Sequence, residues 1–138
     1  MRIDLTKTNG SSPPEKPVLT PARSRIQAWF DGACEPMNPG GHAGWGAVVE
    51  VDGKVVFSKS GYIGSGPKMS NNVAEYSGCI AVLEEIKNYS GNATVFSDSA
   101  LVVNQLTGQY RARGGLYLPY FQQAYAILHA IGRERVRF

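Results

Sequence analysis

NNVAEYSGCIAVLEEIKNY, residues 71–89, is where the chain changes its hydrophobic period. Val73, Tyr76, Ile80, Leu83 and Ile86 recur at steps of three and four, which gathers apolar side chains on one face of a helix. Ser70 or Asn71 can cap its start, and Gly91 lies past its end. On the N-terminal side the pattern differs. Ile26–Phe30 is a short apolar, aromatic strand candidate that ends at Asp31. Residues 32–44, GACEPMNPGGHAG, read as a loop. Trp45–Val51 and Lys54–Tyr62 are two strands joined at Asp52-Gly53, a strong hairpin signal. On the C-terminal side, Ala93–Ser97 predicts a short strand and Ser99–Leu106 a short helix. Gln109–Gly115 is a basic turn, Leu116–Ala130 a helix with Pro119 in its first turn, and Arg135–Phe138 a final strand. The order is βββαβααβ. An antiparallel meander followed by a βαβ-like continuation predicts an α/β fold, a mixed sheet with helices packed against it.

The chain has 138 residues, 43% of them hydrophobic, which suits one domain with a real core. No apolar run is long enough for a membrane span, so no membrane partner is expected. MRIDLTKTNGSS has no apolar core of a signal peptide, and Cys34 and Cys79 have no zinc or disulfide-scaffold spacing. A reduced, cytoplasmic setting is the simplest expectation. Residues 1–24, rich in Pro, Ser, Thr and Lys, read as a flexible N-terminal tail ahead of a domain over 25–138. The net charge of +3 resides in residues 1–25, which hold five basic residues against two acids. Residues 26–138 hold nine of each sign, so the domain is neutral on average.

Three acids stand out. Asp31 closes an apolar strand, Glu75 lies in the first turns of the long helix, and Asp98 follows the Ala-Thr-Val-Phe strand. A carboxylate at such a strand end is costly unless paired or metal-bound, and strand ends in mixed sheets are preferred ligand sites. Hard oxygen ligands suit Mg²⁺ or Mn²⁺. Each acid also has a plain structural reading. Asp31-Gly32 can open a turn, Asp98 can cap the following helix, and Glu75 can close a capping box with Asn72. Spacing alone leaves both readings open.

Three segments resemble the type 1 ribonuclease H family. They are Ala28-Trp-Phe-Asp31-Gly-Ala-Cys34 with Asn38-Pro-Gly40, then Ser70-Asn-Asn-Val-Ala-Glu75-Tyr, then Thr94-Val-Phe-Ser-Asp98-Ser99. Their order, spacing and expected strand or helix contexts agree over residues 26–138. The resemblance implies the ribonuclease H-like fold, a mixed five-stranded sheet whose first three strands are antiparallel. It implies metal-dependent endonucleolytic cleavage of the RNA strand of an RNA–DNA hybrid, leaving 5′-phosphate and 3′-hydroxyl ends. In the family's arrangement the Asp31 equivalent bridges two Mg²⁺ ions. The Glu75 and Asp98 equivalents hold the ion that positions the attacking water.

The resemblance also implies a substrate surface. The backbone of Gly32, Ala33 and Cys34 and the side chains of Asn38, Asn71 and Asn72 would line the hybrid's minor groove, where 2′-hydroxyls mark the RNA. Lys68 and Ser70 match positions that grip a DNA-strand phosphate. Ordinary turn and cap duty is the plain reading of Asn38 and Asn71. Arg111 and Arg113 sit where relatives carry a basic loop, and a solvated charged loop is the alternative there. No obligate protein partner is evident.

Two departures from the family pattern stand out. The Asp31–Asn38 loop is one residue longer than in many members. The family pattern also continues past the last strand with a loop His, a fourth carboxylate and a terminal helix, whereas this sequence stops at Phe138. The expected fold therefore lacks the terminal helix, and the expected site has three carboxylates. This predicts reduced activity with Mn²⁺ as a substitute ion. The alternative function is a catalytically weak RNA–DNA hybrid-binding module. A recombinase or transposase core is a more distant rival, and the Ser-Asn-Asn-Val-Ala-Glu helix start argues against it.

Overall fold

The computed structural model describes residues 24–138. The expected tail over 1–24 lies, apart from Ser24, outside the described residues. The strands are β1 (Arg25–Glu35), β2 (Gly40–Val51), β3 (Lys54–Gly66), β4 (Asn92–Phe96) and β5 (Val136–Arg137). The helices are α1 (Asn71–Ile86), α2 (Ala100–Leu106) and α3 (Leu118–Ile131), with a 3-10 turn over Arg133–Arg135. The chain order is the βββαβααβ that the hydrophobic periods predict. The sheet is five-stranded, in the order β3-β2-β1-β4-β5. β1, β2 and β3 pair antiparallel, whereas β4 pairs parallel to β1 and β5 parallel to β4. Among the described residues no helix is long and apolar enough to cross a membrane.

Alternation along β1 decides the layers. Ile26, Ala28 and Phe30 are buried, while Trp29 and Asp31 emerge on the other face. The buried set meets the apolar face of α1, where Val73, Tyr76, Cys79, Leu83 and Ile86 have no solvent exposure. Ala124, Ile127 and Leu128 of α3 complete the core. The β2–β3 hairpin turns at Asp52 and Gly53 with φ of +52° and +84°, the left-handed pair that matches strand twist.

The structure corrects several boundaries. β1 continues to Glu35 and β2 starts at Gly40, so most of the loop expected over 32–44 is paired strand, from Gly32↔Trp45 to Glu35↔His42. Asp31 is therefore mid-strand, opposite Gly46, and not at a strand end. Small residues with low strand propensity are held there by the ladder itself. α1 stops at Ile86 because Asn88 and Tyr89 turn back onto the carbonyls of Glu85 and Ile86, tightening the last turn. β5 is only Val136–Arg137. Arg135 belongs to the 3-10 turn, and its guanidinium folds back to donate to the carbonyls of Tyr89, Gly91 and Ile131.

Candidate active site

β1 has neighbours on both sides only as far as Trp29, whose parallel partner is Phe96 at the end of β4. Beyond that pair β4 leaves the sheet through Ser97 and Asp98, so one side of β1 opens beside Asp31. α1 fills part of the gap. A side chain at Gly32 would collide with the backbone of Ala74 and Glu75. One at Gly78 would come within 3.1 Å of the Asp31 carbonyl and 3.2 Å of Phe30 Cβ. These two glycines let the helix backbone lie against the strand. That close approach delivers Glu75 to Asp31.

The result is a cluster. One carboxylate oxygen each from Asp31, Glu75 and Asp98 lies within 4.8 Å of the other two. Asp31 and Asp98 are exposed and Glu75 is half-buried. Burial raises the Glu75 pKa above its ordinary value, the Ser99 hydroxyl opposes this, and the charges of Asp98 and Asp31 add to the rise. Asp31 Oδ1 also accepts from the Gly32 amide at 2.8 Å.

The structural alternatives for the acids fail one by one. Asp31 opens no turn, because it is paired within a strand. Asp98 caps nothing, because Ser99 is the N-cap of α2. Glu75 closes no capping box, because Ser70 is the N-cap of α1 and its hydroxyl accepts from Val73. Three acids with no turn or capping role converge on one point. Three oxygens of hard carboxylate character at this spacing fit a divalent cation, which would relieve their mutual repulsion.

The other candidates divide. Asn38 Oδ1 accepts from the Asn71 amide at 2.9 Å, and Asn71 Oδ1 accepts from the Cys34 amide at 2.7 Å. The two asparagines thus stitch the β1–β2 connection to the start of α1. Cys34 is buried, its thiol donating to the Met37 carbonyl. Ala33 is exposed on the open face of β1, and Asn72 is half-buried in the first turn of α1. Lys68 is exposed and lines a separate groove of about 460 Å³ with Met69, Leu116, Pro119, Tyr120 and Gln123. Sequence reasoning missed the stacked pair Trp29 and Phe96, ring centroids 5.4 Å apart. These rings line a groove of about 540 Å³ shared with Asp31 and Asp98. Gly78 was also missed. A glycine inside an amphipathic helix costs about 1 kcal/mol, and that anomaly was its only sequence signal.

The sheet order, with one acid in the middle of β1 and another just past the end of β4, defines a ribonuclease H-like α/β fold. No family model matches the chain. The N-terminal RNase H domain of Rv2228c from Mycobacterium tuberculosis, solved as a fusion with maltose binding protein, is 34% identical with a TM-score of 0.71. That match covers 83% of this chain and 79% of that one. LC11-RNase H1, solved in complex with an RNA/DNA hybrid, is 30% identical with a TM-score of 0.64, covering 82% of each chain. Among curated sequences, the bifunctional protein Rv2228c of Mycobacterium tuberculosis is 41% identical over 93 residues, 65% of this chain and 24% of that protein. The chain thus spans about a quarter of the length of the curated relatives it matches. The chain belongs to the type 1 ribonuclease H family.

Proposed function

We propose that this chain is an endoribonuclease that hydrolyses the RNA strand of RNA–DNA hybrids, leaving 5′-phosphate and 3′-hydroxyl ends. The observation that carries the reading is the convergence of Asp31, Glu75 and Asp98 within 4.8 Å at the open side of β1. The family supports it, since LC11-RNase H1 was solved with a hybrid bound. Asp31, Glu75 and Asp98 would hold Mg²⁺, with Mn²⁺ as a substitute. Divalent ions there would supply an activated water and neutralise charge on the phosphate, the two needs of phosphodiester hydrolysis.

The chain's own residues do the rest. Asp31 and Asp98 present carboxylates to solvent, where a phosphate can approach. Gly32 and Gly78 hold Glu75 against them. The Asn38–Asn71 stitch spends both side-chain carbonyls internally, which leaves the amide NH₂ groups as donors for sugar or base-edge acceptors. Ala33, with the backbone of Gly32 and Cys34, and the side chain of Asn72 would lie along the same minor-groove path. Lys68, and the exposed Arg111 and Arg113, would contact phosphates, with Ser70 beside Lys68.

A substrate panel tests the reading. A labelled RNA–DNA hybrid, a DNA duplex and an RNA duplex are each incubated with the protein while Mg²⁺ or Mn²⁺ is titrated. Metal-dependent cleavage confined to the hybrid's RNA strand is expected. Tight hybrid binding without cleavage at any metal concentration would replace the enzyme reading with that of a binding module. Equal cleavage of all three duplexes would refute hybrid specificity.

A further inference from the structure

Gln105, in the last turn of α2, is 3% exposed, and with Ser99 it forms the buried polar set among the described residues. Taking a primary amide out of water is costly unless its hydrogen bonds are met. Here they are met at both ends. Oε1 accepts from the Tyr76 hydroxyl at 2.5 Å. Nε2 donates to the Tyr117 hydroxyl at 3.1 Å and to the Arg111 carbonyl at 3.4 Å. The rings of Tyr76 and Tyr117 stack with centroids 6.0 Å apart. A leucine or methionine would fill this space without an amide to satisfy. Beyond its bonds to the two tyrosine hydroxyls, the amide also holds the Arg111 carbonyl.

Arg111 begins a stretch without regular structure that runs to the turn at Gly115. Its backbone is tied to α2 at two successive residues, because the Tyr110 amide also donates to the Asn104 carbonyl at 2.9 Å. Arg111 and Arg113 are exposed, and among the described residues neither has a carboxylate partner. The loop leads directly into Leu116, which lines the 460 Å³ groove together with Lys68. At the other end of the network, Tyr76 follows Glu75 on α1. One residue points at the carboxylate cluster and the next into the core toward Gln105.

We infer that Gln105 is a positioning residue. Through Tyr76 and the Arg111 carbonyl it fixes the distance between the carboxylate cluster and the two guanidinium groups. A hybrid phosphate gripped at Arg111 and Arg113 then sets which phosphate reaches Asp31. The inference rests on the proposed hybrid-cleaving function and adds to it the part that aligns the substrate.

The test uses the full chain with Gln105→Leu, Gln105→Met, the pair Arg111→Ala with Arg113→Ala, and the combination. Cleavage of a short hybrid is followed against salt concentration. The arginine pair is expected to raise KM about tenfold and leave kcat within about twofold. It should also flatten the salt dependence by roughly one to two phosphate contacts. Either Gln105 variant should reproduce the direction of both changes. Adding it to the arginine pair should bring no further loss in KM, because both act through one contact. Gln105 variants that lower thermal stability but keep wild-type KM and salt slope would overturn the inference. An arginine pair that leaves KM and salt slope unchanged would overturn it too, whether or not the Gln105 variants fold. A wild-type chain that neither binds nor cleaves the hybrid would instead fail the functional reading itself.

Discussion

Glu75 and Tyr76 are neighbours in α1 and belong to opposite kinds of environment. Glu75 joins two other carboxylates whose charges raise its pKa, and the Ser99 hydroxyl offsets this only in part. Tyr76 joins a buried network in which every end of Gln105 is hydrogen-bonded. A fully satisfied network is what a stable core selects. A cluster of like charges is what a core excludes, and where one collects beside a groove it marks a candidate functional site. The difference separates the part of the molecule that holds shape from the part that is proposed to do the chemistry.

The contrast can be broken in four places. The largest effect is expected at Asp98. Asp98→Asn removes a charge from the cluster and should lower hybrid cleavage by about 100-fold or more, since metal stabilisation of the transition state is worth several kcal/mol. Thermal stability without metal should hold or rise, because repulsion falls. Wild-type turnover in this variant would detach Asp98 from the chemistry.

Gly32→Ala comes next. The new methyl meets the backbone of Ala74 and Glu75, so α1 must move off β1. Overpacking of this kind costs about 1–3 kcal/mol. Urea unfolding should show that loss, and stabilisation by added Mg²⁺ should shrink with it because Glu75 moves away. Unchanged Mg²⁺ stabilisation would mean that the close approach does not assemble the cluster.

Tyr76→Phe tests the satisfied side. It strips the donor from Gln105 Oε1 and leaves a buried acceptor unpaired, a cost of about 1–2 kcal/mol by urea unfolding. The carboxylate cluster should still respond to Mg²⁺ as in the wild type.

The smallest effect is a gain. The folded-state pKa of Glu75 is raised above its ordinary 4.5, chiefly by burial. The folded state therefore holds a proton that the unfolded state releases first, and stability falls as pH rises from about 4.5 through the folded pKa. Metal-free Glu75→Gln should melt higher than wild type at pH 7, with the gain vanishing below pH 4.5. A constant difference at all pH values would show that the gain is not electrostatic.

Sequence reading reached the architecture because Ile26–Phe30 is a short apolar, aromatic run and Val73–Ile86 repeats at steps of three and four. It failed at residues 32–44, where Gly, Ala, Asn and Pro look like a loop but residues 32–35 and 42–44 lie in the β1–β2 ladder. Strand propensity reports side-chain packing, and these residues are paired through backbone hydrogen bonds that no propensity records. The three acids were legible as a set through the resemblance of their segments to the ribonuclease H family, since spacing alone left both readings open. Their convergence depends on Gly32 and Gly78, and a glycine's packing role is invisible until the element that crosses it is known. Gln105 was illegible for a related reason. A glutamine at a helix end looks solvated, and only the fold places Tyr76, Tyr117 and Arg111 around it.

The most direct test is cleavage of an RNA–DNA hybrid by the wild type and by Asp31→Asn, each with Mg²⁺ and with chelator. RNA-strand cleavage by the wild type with Mg²⁺ alone, ending in 5′-phosphates, is expected, and none by Asp31→Asn under either condition. Cleavage that survives chelation, or that Asp31→Asn retains in full, would contradict the proposed function.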